Sequence, residues 1–183
     1  GGSSLCAVAD GRSVDTTMGM TPLDGVPMAT RSGTLDPGVV LYLAQTLAMP
    51  LPEIEHLLWR DSGLRGLSGG SGDMRELLAD TSEPAALARE HYAMRVAQGI
   101  AAMATSLGGL DGVVFSGGVG AGAASVRARI AAQLGWMGLL LDSDANLRGC
   151  PVVHANAATI SAWVIQVDEE YELLQAALAL EDA

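Results

Sequence analysis

Val113-Val114-Phe115-Ser116-Gly117-Gly118-Val119-Gly120-Ala121-Gly122 decides how the rest of the chain is read. Its first three residues are the centre of an apolar run, Leu110–Phe115, short enough for a strand buried on both faces. Glycines follow, and residues 123–134 then return to helical apolar spacing. Strand, glycine loop and helix in that order bring backbone N–H groups close to whatever sits in the turn, and a helix N-terminus adds positive potential. Such a turn holds a phosphate or nucleoside in some proteins and simply reverses the chain in others. The pattern alone leaves both open.

Outward from that turn, Glu83-Pro84 to Leu107 has the apolar spacing of one long helix, stopped by Gly108-Gly109. Asp10-Gly11 between residues 3–9 and 12–17 predicts an antiparallel hairpin with a type I′ turn. Residues 16–32, rich in Gly, Pro, Thr and Met, lack helical periodicity and read as a long ordered loop or short strand. Asp36 followed by Pro37 predicts a capped helix over 38–48, with a second over 52–60. A Gly/Ser-rich loop is expected over 61–73, ending on Asp73 as the cap of a short helix carrying Met74, Arg75 and Leu77. Short strands are expected at 139–141 and 152–153, a last strand at 159–167 and a terminal helix over 168–180. The fold class is α/β, a mixed sheet with helices packed on it. No internal repeat or domain boundary is evident.

Composition narrows the function. The chain has 183 residues, 49% hydrophobic and 17% charged, which is globular rather than disordered. No apolar run is long enough to span a membrane. A net charge of -11 argues against nucleic acid as a partner. Every one of the 10 basic residues is arginine, so a P-loop lysine is excluded. Cys6 and Cys150 fit a reduced, cytoplasmic protein, both as small core residues. The opening Gly1-Gly2-Ser3-Ser4, without a methionine or signal peptide, reads as the interior of a longer sequence.

Several polar residues admit two readings. Arg31, within Met28-Ala29-Thr30-Arg31-Ser32-Gly33, is either a planar fork for phosphoryl oxygens or a surface partner of Asp24 or Asp36. Asp73 and Arg75 are either part of a ligand site or a capping pair. Asp168-Glu169-Glu170 opens a helix, as simple capping or as a Mg²⁺ site. Asp142, Asp144 and Asn146 read as a turn. His56, His91 and His154 have no metal-ligand spacing, with His56 and His91 expected on helix surfaces. The Met18–Met28 stretch reads as packing.

Taken in order, these segments resemble the acetate kinase family. Val14-Asp15-Thr16-Thr17-Met18-Gly19-Met20-Thr21-Pro22-Leu23-Asp24-Gly25 is similar to the segment preceding that family's catalytic arginine. Met28-Ala29-Thr30-Arg31-Ser32-Gly33 resembles its M-G-T-R-S-G element. Leu67-Ser68-Gly69 and Asp73-Met74-Arg75 are similar to its S-G and D-M-R elements, and Phe115 to Gly120 to F-T-G-G-I-G. Leu140-Leu141-Asp142 to Asn146 and Asp168-Glu169-Glu170 match the later L-D…N and N-E-E elements. Order and spacing hold along essentially the whole chain.

The resemblance implies a ribonuclease-H-like, actin-like ATPase domain of the acetate and sugar kinase, Hsp70 and actin superfamily. Residues 1–183 would be the C-terminal nucleotide-binding domain, starting inside the phosphate loop at Gly1 and Gly2, with the N-terminal domain outside the chain. The implied reaction is reversible phosphoryl transfer between ATP and acetate, giving ADP and acetyl phosphate. Arg31 would stabilise the transferring phosphoryl group. Asp73, Met74 and Arg75 would line the nucleotide site, Gly117, Gly118, Val119, Gly120 and Ala121 would hold the adenosine side, and Glu169 would help bind Mg²⁺. The family's homodimer through this domain is carried over, the 84–107 helix offering an apolar face for it. Ala121 and Gly122 stand where the family has glutamate and asparagine, and Ala29 where it has glycine. The chain alone is expected to be inactive. The alternatives are a non-catalytic nucleotide-binding or dimerisation module and a propionate kinase.

Overall fold

The computed structural model describes residues 2–168 together with 171, 173–175, 177 and 178. The hairpin forms as its turn dipeptide requires. Strands β1 (Cys6–Ala9) and β2 (Arg12–Thr16) pair antiparallel, with a bulge between Ala7 and Val8. Asp10 and Gly11 both take positive φ, 51° and 74°, the geometry a type I′ turn demands. Ala7 points into the core.

Helices α1 (Pro37–Gln45) and α2 (Leu51–Arg60) follow, then α3 (Gly63–Ser68), α4 (Met74–Ala79) and α5 (Glu83–Leu107). Asp36 caps α1 by accepting from Gly38 N, with Pro37 at the first helical position. This helix ends at Gln45, short of the expected Ala48, which sits at φ 52°. Ser82 caps α5, and Gly108 closes it in the left-handed conformation. The inner face of α5 is largely alanine, with Tyr92, Val96 and Ile100 among them. Those small side chains let α3, α4, α7 and the hairpin pack closely against one helix.

Strand β3 (Gly112–Phe115) lies parallel to β4 (Ser161–Val164), in the register Gly112↔Ser161 to Phe115↔Val164. Gly112 is required there: a Cβ would stand 2.2 Å from the Trp163 ring. An antiparallel bridge from Val152 to Trp163 gives this pair its mixed direction. Between β3 and β4 the chain forms α6 (Gly117–Gly122), α7 (Ala124–Leu134), a single 3-10 turn at Gly135–Met137, and α8 (Ser143–Arg148).

Several expectations are corrected. The 61–73 stretch is not all loop: α3 forms within it because Leu64 has a buried seat against α5. The segments at 139–141 and 152–153 do not become strands. They contribute only the bridges Leu141↔His154 and Val152↔Trp163, since neither has a partner of sufficient length. The expected turn at 142–146 is α8, capped by Asp142 through Ala145 N. The cysteines are not core residues: Cys6 is exposed with its Sγ 3.1 Å from Ser13 Oγ, and Cys150 is half-buried. The methionine stretch divides, with Met28 in the core and Met20 fully in solvent. His56 and His91 lie exposed on α2 and α5 as expected. Among the described residues no helix is long and apolar enough to cross a membrane.

Candidate active site

Arg31 sits in a loop that two glycines allow to lie directly on the helices behind it. A Cβ on Gly63 would meet Met28 O at 2.2 Å and Arg31 O at 2.5 Å, and one on Gly72 would meet Ala29 O at 2.3 Å. The first amides of α3 have no partner within their own helix. Leu64 N and Arg65 N instead donate to Met28 O and Ala29 O, each at 2.9 Å. Ser62 N reaches Thr30 O at 3.0 Å, and Thr30 Oγ1 donates to Trp59 O at 2.8 Å. The loop backbone is therefore fixed from both sides.

The Arg31 side chain is held more lightly. Its Nη1 donates to Pro22 O at 3.1 Å and lies 3.3 Å from Met28 Sδ. Its guanidinium carbon stands 5.3 Å from the centre of the Trp59 ring. Neither Asp24 nor Asp36 pairs with it: Asp24 accepts from Thr34 and Gly25, and Asp36 is the α1 cap. Among the described residues this half-buried guanidinium has no carboxylate partner.

A cleft of about 560 Å³ lies beside it. Gly2 is in its lining, and a Cβ on Gly2 would be 3.8 Å from Arg31 Nη1. One wall is Gly72, Asp73, Met74 and Arg75; the other is Gly118, Val119, Gly122 and Ala123. The buried Leu64, Met74 and Tyr92 close it on the core side. Tyr92 Oη lies 3.0 Å from Ser3 Oγ, which also lines the cleft, and burial raises the phenol above its ordinary pKa. The volume is that of an ordinary small-molecule site.

Asp73 and Arg75 form the capping pair and also line the cleft. Asp73 Oδ1 caps α4 by accepting from Arg75 N at 2.8 Å, and the Arg75 guanidinium forks onto the same carboxylate, with Nη2 to Oδ2 at 2.6 Å. The Arg75 contact holds the Asp73 pKa down to about 2. The pair is exposed, so water and salt screen it.

The glycine run is not an open loop. Gly117 enters at φ 69°, and residues 117–122 wind into α6, so a helix begins at the glycines rather than after them. Gly118 and Val119 face the cleft. Gly120 turns towards Phe115 and Ala121 is buried, so neither lines it, and Gly117 does not either. Glycine disfavours helix by ~1 kcal/mol per residue relative to alanine, and Ser116 supplies no side-chain cap. What holds α6 is Arg127, which the sequence reading passed over. Only 1% exposed, it donates from Nη1 to Gly120 O at 2.9 Å and Ala121 O at 2.7 Å. Its Nε donates to Asn146 Oδ1 at 2.7 Å and its Nη2 to Asn146 O at 2.8 Å. Burial pushes its pKa below the ordinary arginine value. One signal existed: Arg127 falls beside Val126 on the buried stripe of α7 continued by Ile130, Ala131 and Leu134.

Gly1 and Glu169, expected at the phosphate and the metal, lie outside the described residues. Among the described residues no three His, Cys, Asp or Glu side chains converge to hold a metal ion. Asp73, the carboxylate in the cleft lining, is already engaged by Arg75. The described residues therefore do not by themselves fit a Mg²⁺ site.

The acetokinase family matches residues 1–175. The chain is 48% identical over 171 residues to an acetate kinase of Rhodopseudomonas palustris (strain TIE-1), covering 92% of this chain and 43% of that protein. A crystal structure of a propionate kinase from Francisella tularensis superposes with a TM-score of 0.89 at 37% identity, over 94% of this chain and 45% of that one. A Porphyromonas gingivalis acetate kinase superposes with a TM-score of 0.90 at 33% identity, over 97% and 46%. The chain thus spans less than half the length of the relatives it matches. The likeness fixes its fold as the α/β, actin-like ATPase type.

Proposed function

The chain belongs to the acetokinase family, and on that premise we propose that residues 1–183 form the C-terminal nucleotide-binding domain of a phosphotransferase with a carboxyl acceptor. The reaction is ATP plus acetate to ADP plus acetyl phosphate, reversibly. The observation that carries this reading is the Arg31 guanidinium beside the cleft, which has no carboxylate partner among the described residues.

An acetate oxygen attacks the γ-phosphorus while the bond to the ADP oxygen breaks in line with it. The three equatorial oxygens carry the spread charge, and catalysis is mostly positioning and electrostatics. Arg31 suits that charge because no carboxylate among the described residues engages its donors. The backbone of Gly118, Val119 and Gly122 takes the adenosine side and leaves room for it, since no side chain beyond Val119 projects from those positions. Gly2, beside Arg31, takes the phosphate side, with Ser3 next to it in the lining. Asp73 and Arg75 form the facing wall. Mg²⁺ would accompany the nucleotide, with Glu169 as the carboxylate that matches the family pattern.

A homodimer through this domain is part of the proposal; the alanine-rich side of α5 packs on the core, while Leu87 and Met94 of the same helix stay exposed. Helix α1 buries none of its residues and leaves Val39, Leu41 and Tyr42 open to solvent, a second apolar face for such a contact. Propionate is the second reading for the acyl substrate, favoured by the likeness to the Francisella tularensis enzyme. One methylene is worth only ~1–3 kcal/mol of discrimination.

The test is acetyl phosphate formation, trapped as the hydroxamate. The chain alone should be inactive and should turn over ATP and acetate when joined to an N-terminal half from a relative. ATP binding with no turnover in the joined enzyme would instead make this a nucleotide-binding or dimerisation module.

A further inference from the structure

We propose that Arg127 is a positioning residue for the nucleotide wall, its buried guanidinium clamping the last carbonyls of α6 and so fixing the backbone of Gly118, Val119 and Gly122 at the cleft. This rests on the reading of that cleft as the nucleotide site.

The physical case begins with a helix that cannot hold itself. Helix α6 spans six residues, most of them glycine, with no side-chain cap at Ser116. Glycine loses more conformational freedom on ordering than any other residue, so this segment unwinds readily unless something outside it accepts the cost. The last carbonyls of a helix lack partners within it. Two of them, Gly120 O and Ala121 O, accept from Arg127 Nη1 at 2.9 Å and 2.7 Å. The clamp is anchored in turn. Nε and Nη2 are held by Asn146 of α8, and Asn146 Nδ2 donates to Ala124 O at 2.9 Å at the start of α7. Helices α6, α7 and α8 therefore meet at one guanidinium.

Arg127 is an unusual choice for a core position. A buried cation is costly to desolvate and is tolerated only where its donors find acceptors. Among the described residues Arg127 has no carboxylate to neutralise it. Its planar fork does what an apolar residue cannot: it binds carbonyls of two segments at fixed angles. Lysine, a point donor, could reach only part of that set.

The experiment uses ATP as the probe on this chain, by titration calorimetry, with amide exchange at residues 117–122 as a second readout. Arg127→Met should weaken ATP binding by ~10-fold or more and speed exchange across α6. Arg127→Lys should fall between it and the unaltered chain. Gly120→Ala favours helix, and its Cβ would come no closer than 3.4 Å, to Phe115, away from the cleft. Added to the Arg127 variant it should recover ~2- to 5-fold of the lost affinity. A core role without positioning would lower the melting temperature and leave both ATP affinity and the Gly120→Ala rescue unmoved; that result overturns the proposal. If Arg127→Met does not fold, Arg127→Lys carries the comparison, and unchanged exchange over 117–122 in that variant sinks it equally. Should the unaltered chain bind no ATP, the nucleotide reading fails, while the exchange result still decides whether Arg127 clamps α6.

Discussion

Arg127 commits its Nε and both terminal nitrogens to carbonyl oxygens of Gly120, Ala121 and Asn146, deep in the protein. Arg31, near Gly2 of the cleft lining, donates to Pro22 O, lies against Met28 Sδ and rests on Trp59, and among the described residues no carboxylate engages it. The two regions around them are built in opposite ways. At Arg31 the backbone is fixed by its own hydrogen bonds, from α3 amides and from Thr30, and the side chain is left available. At α6 the backbone is weak and a side chain is spent to fix it. An arginine that saturates its donors internally shapes a site, and one that keeps them open can act in it.

This contrast is exposed first by removing each arginine. Arg31→Ala in the joined enzyme should lower kcat by ~10³-fold, about 4 kcal/mol of transition-state stabilisation, while the melting temperature stays nearly constant. Comparable loss of stability would break the contrast. Arg127→Met should do the reverse at the level of folding, costing about 3 kcal/mol by chemical denaturation because it strands buried carbonyls. Gly63→Ala tests the backbone side of the argument. Its Cβ would collide with Met28 O and Arg31 O at a φ of 61°, so it should cost about 2 kcal/mol and also lower turnover by displacing Arg31.

The smallest effect belongs to the facing wall. Asp73 has a folded pKa of about 2 against an ordinary 3.8, because Arg75 bonds its ionised form. A depressed carboxylate pKa contributes stability above about pH 4 that is lost as pH falls towards about 2. Melting temperature followed from pH 5 to pH 2 should therefore fall less steeply for Asp73→Asn than for the unaltered chain, and the difference should shrink in high salt. Parallel curves would remove Asp73 and Arg75 from the account of stability.

Much of this was legible in the residues. The type I′ hairpin at Asp10-Gly11, the Asp36-Pro37 and Asp73 caps and the Gly108 stop are local devices. Their chemistry acts within a few residues and needs no tertiary partner. The likeness to acetate kinases was also carried by linear motifs, and the acetokinase family match over residues 1–175 bears it out. The elements the sequence concealed depend on distant contacts. Helix α3 exists because Leu64 is buried against α5. The segments at 139–141 and 152–153 fail as strands because only single-residue bridges await them.

The site divides along the same line. Sequence alone marked Arg31, Asp73, Arg75 and the glycine run as polar or flexible residues in suggestive places. Tertiary structure decided that Asp24 and Asp36 are engaged elsewhere and leave Arg31 without a carboxylate among the described residues, and that the glycines wind into a helix facing the cleft with Gly118 and Val119 but not with Gly120 or Ala121. It also brought Arg127 to carbonyls on α6 and α8. A side chain's identity is written locally, but which acceptors surround it, and how much water it loses, is set by segments far apart in the chain.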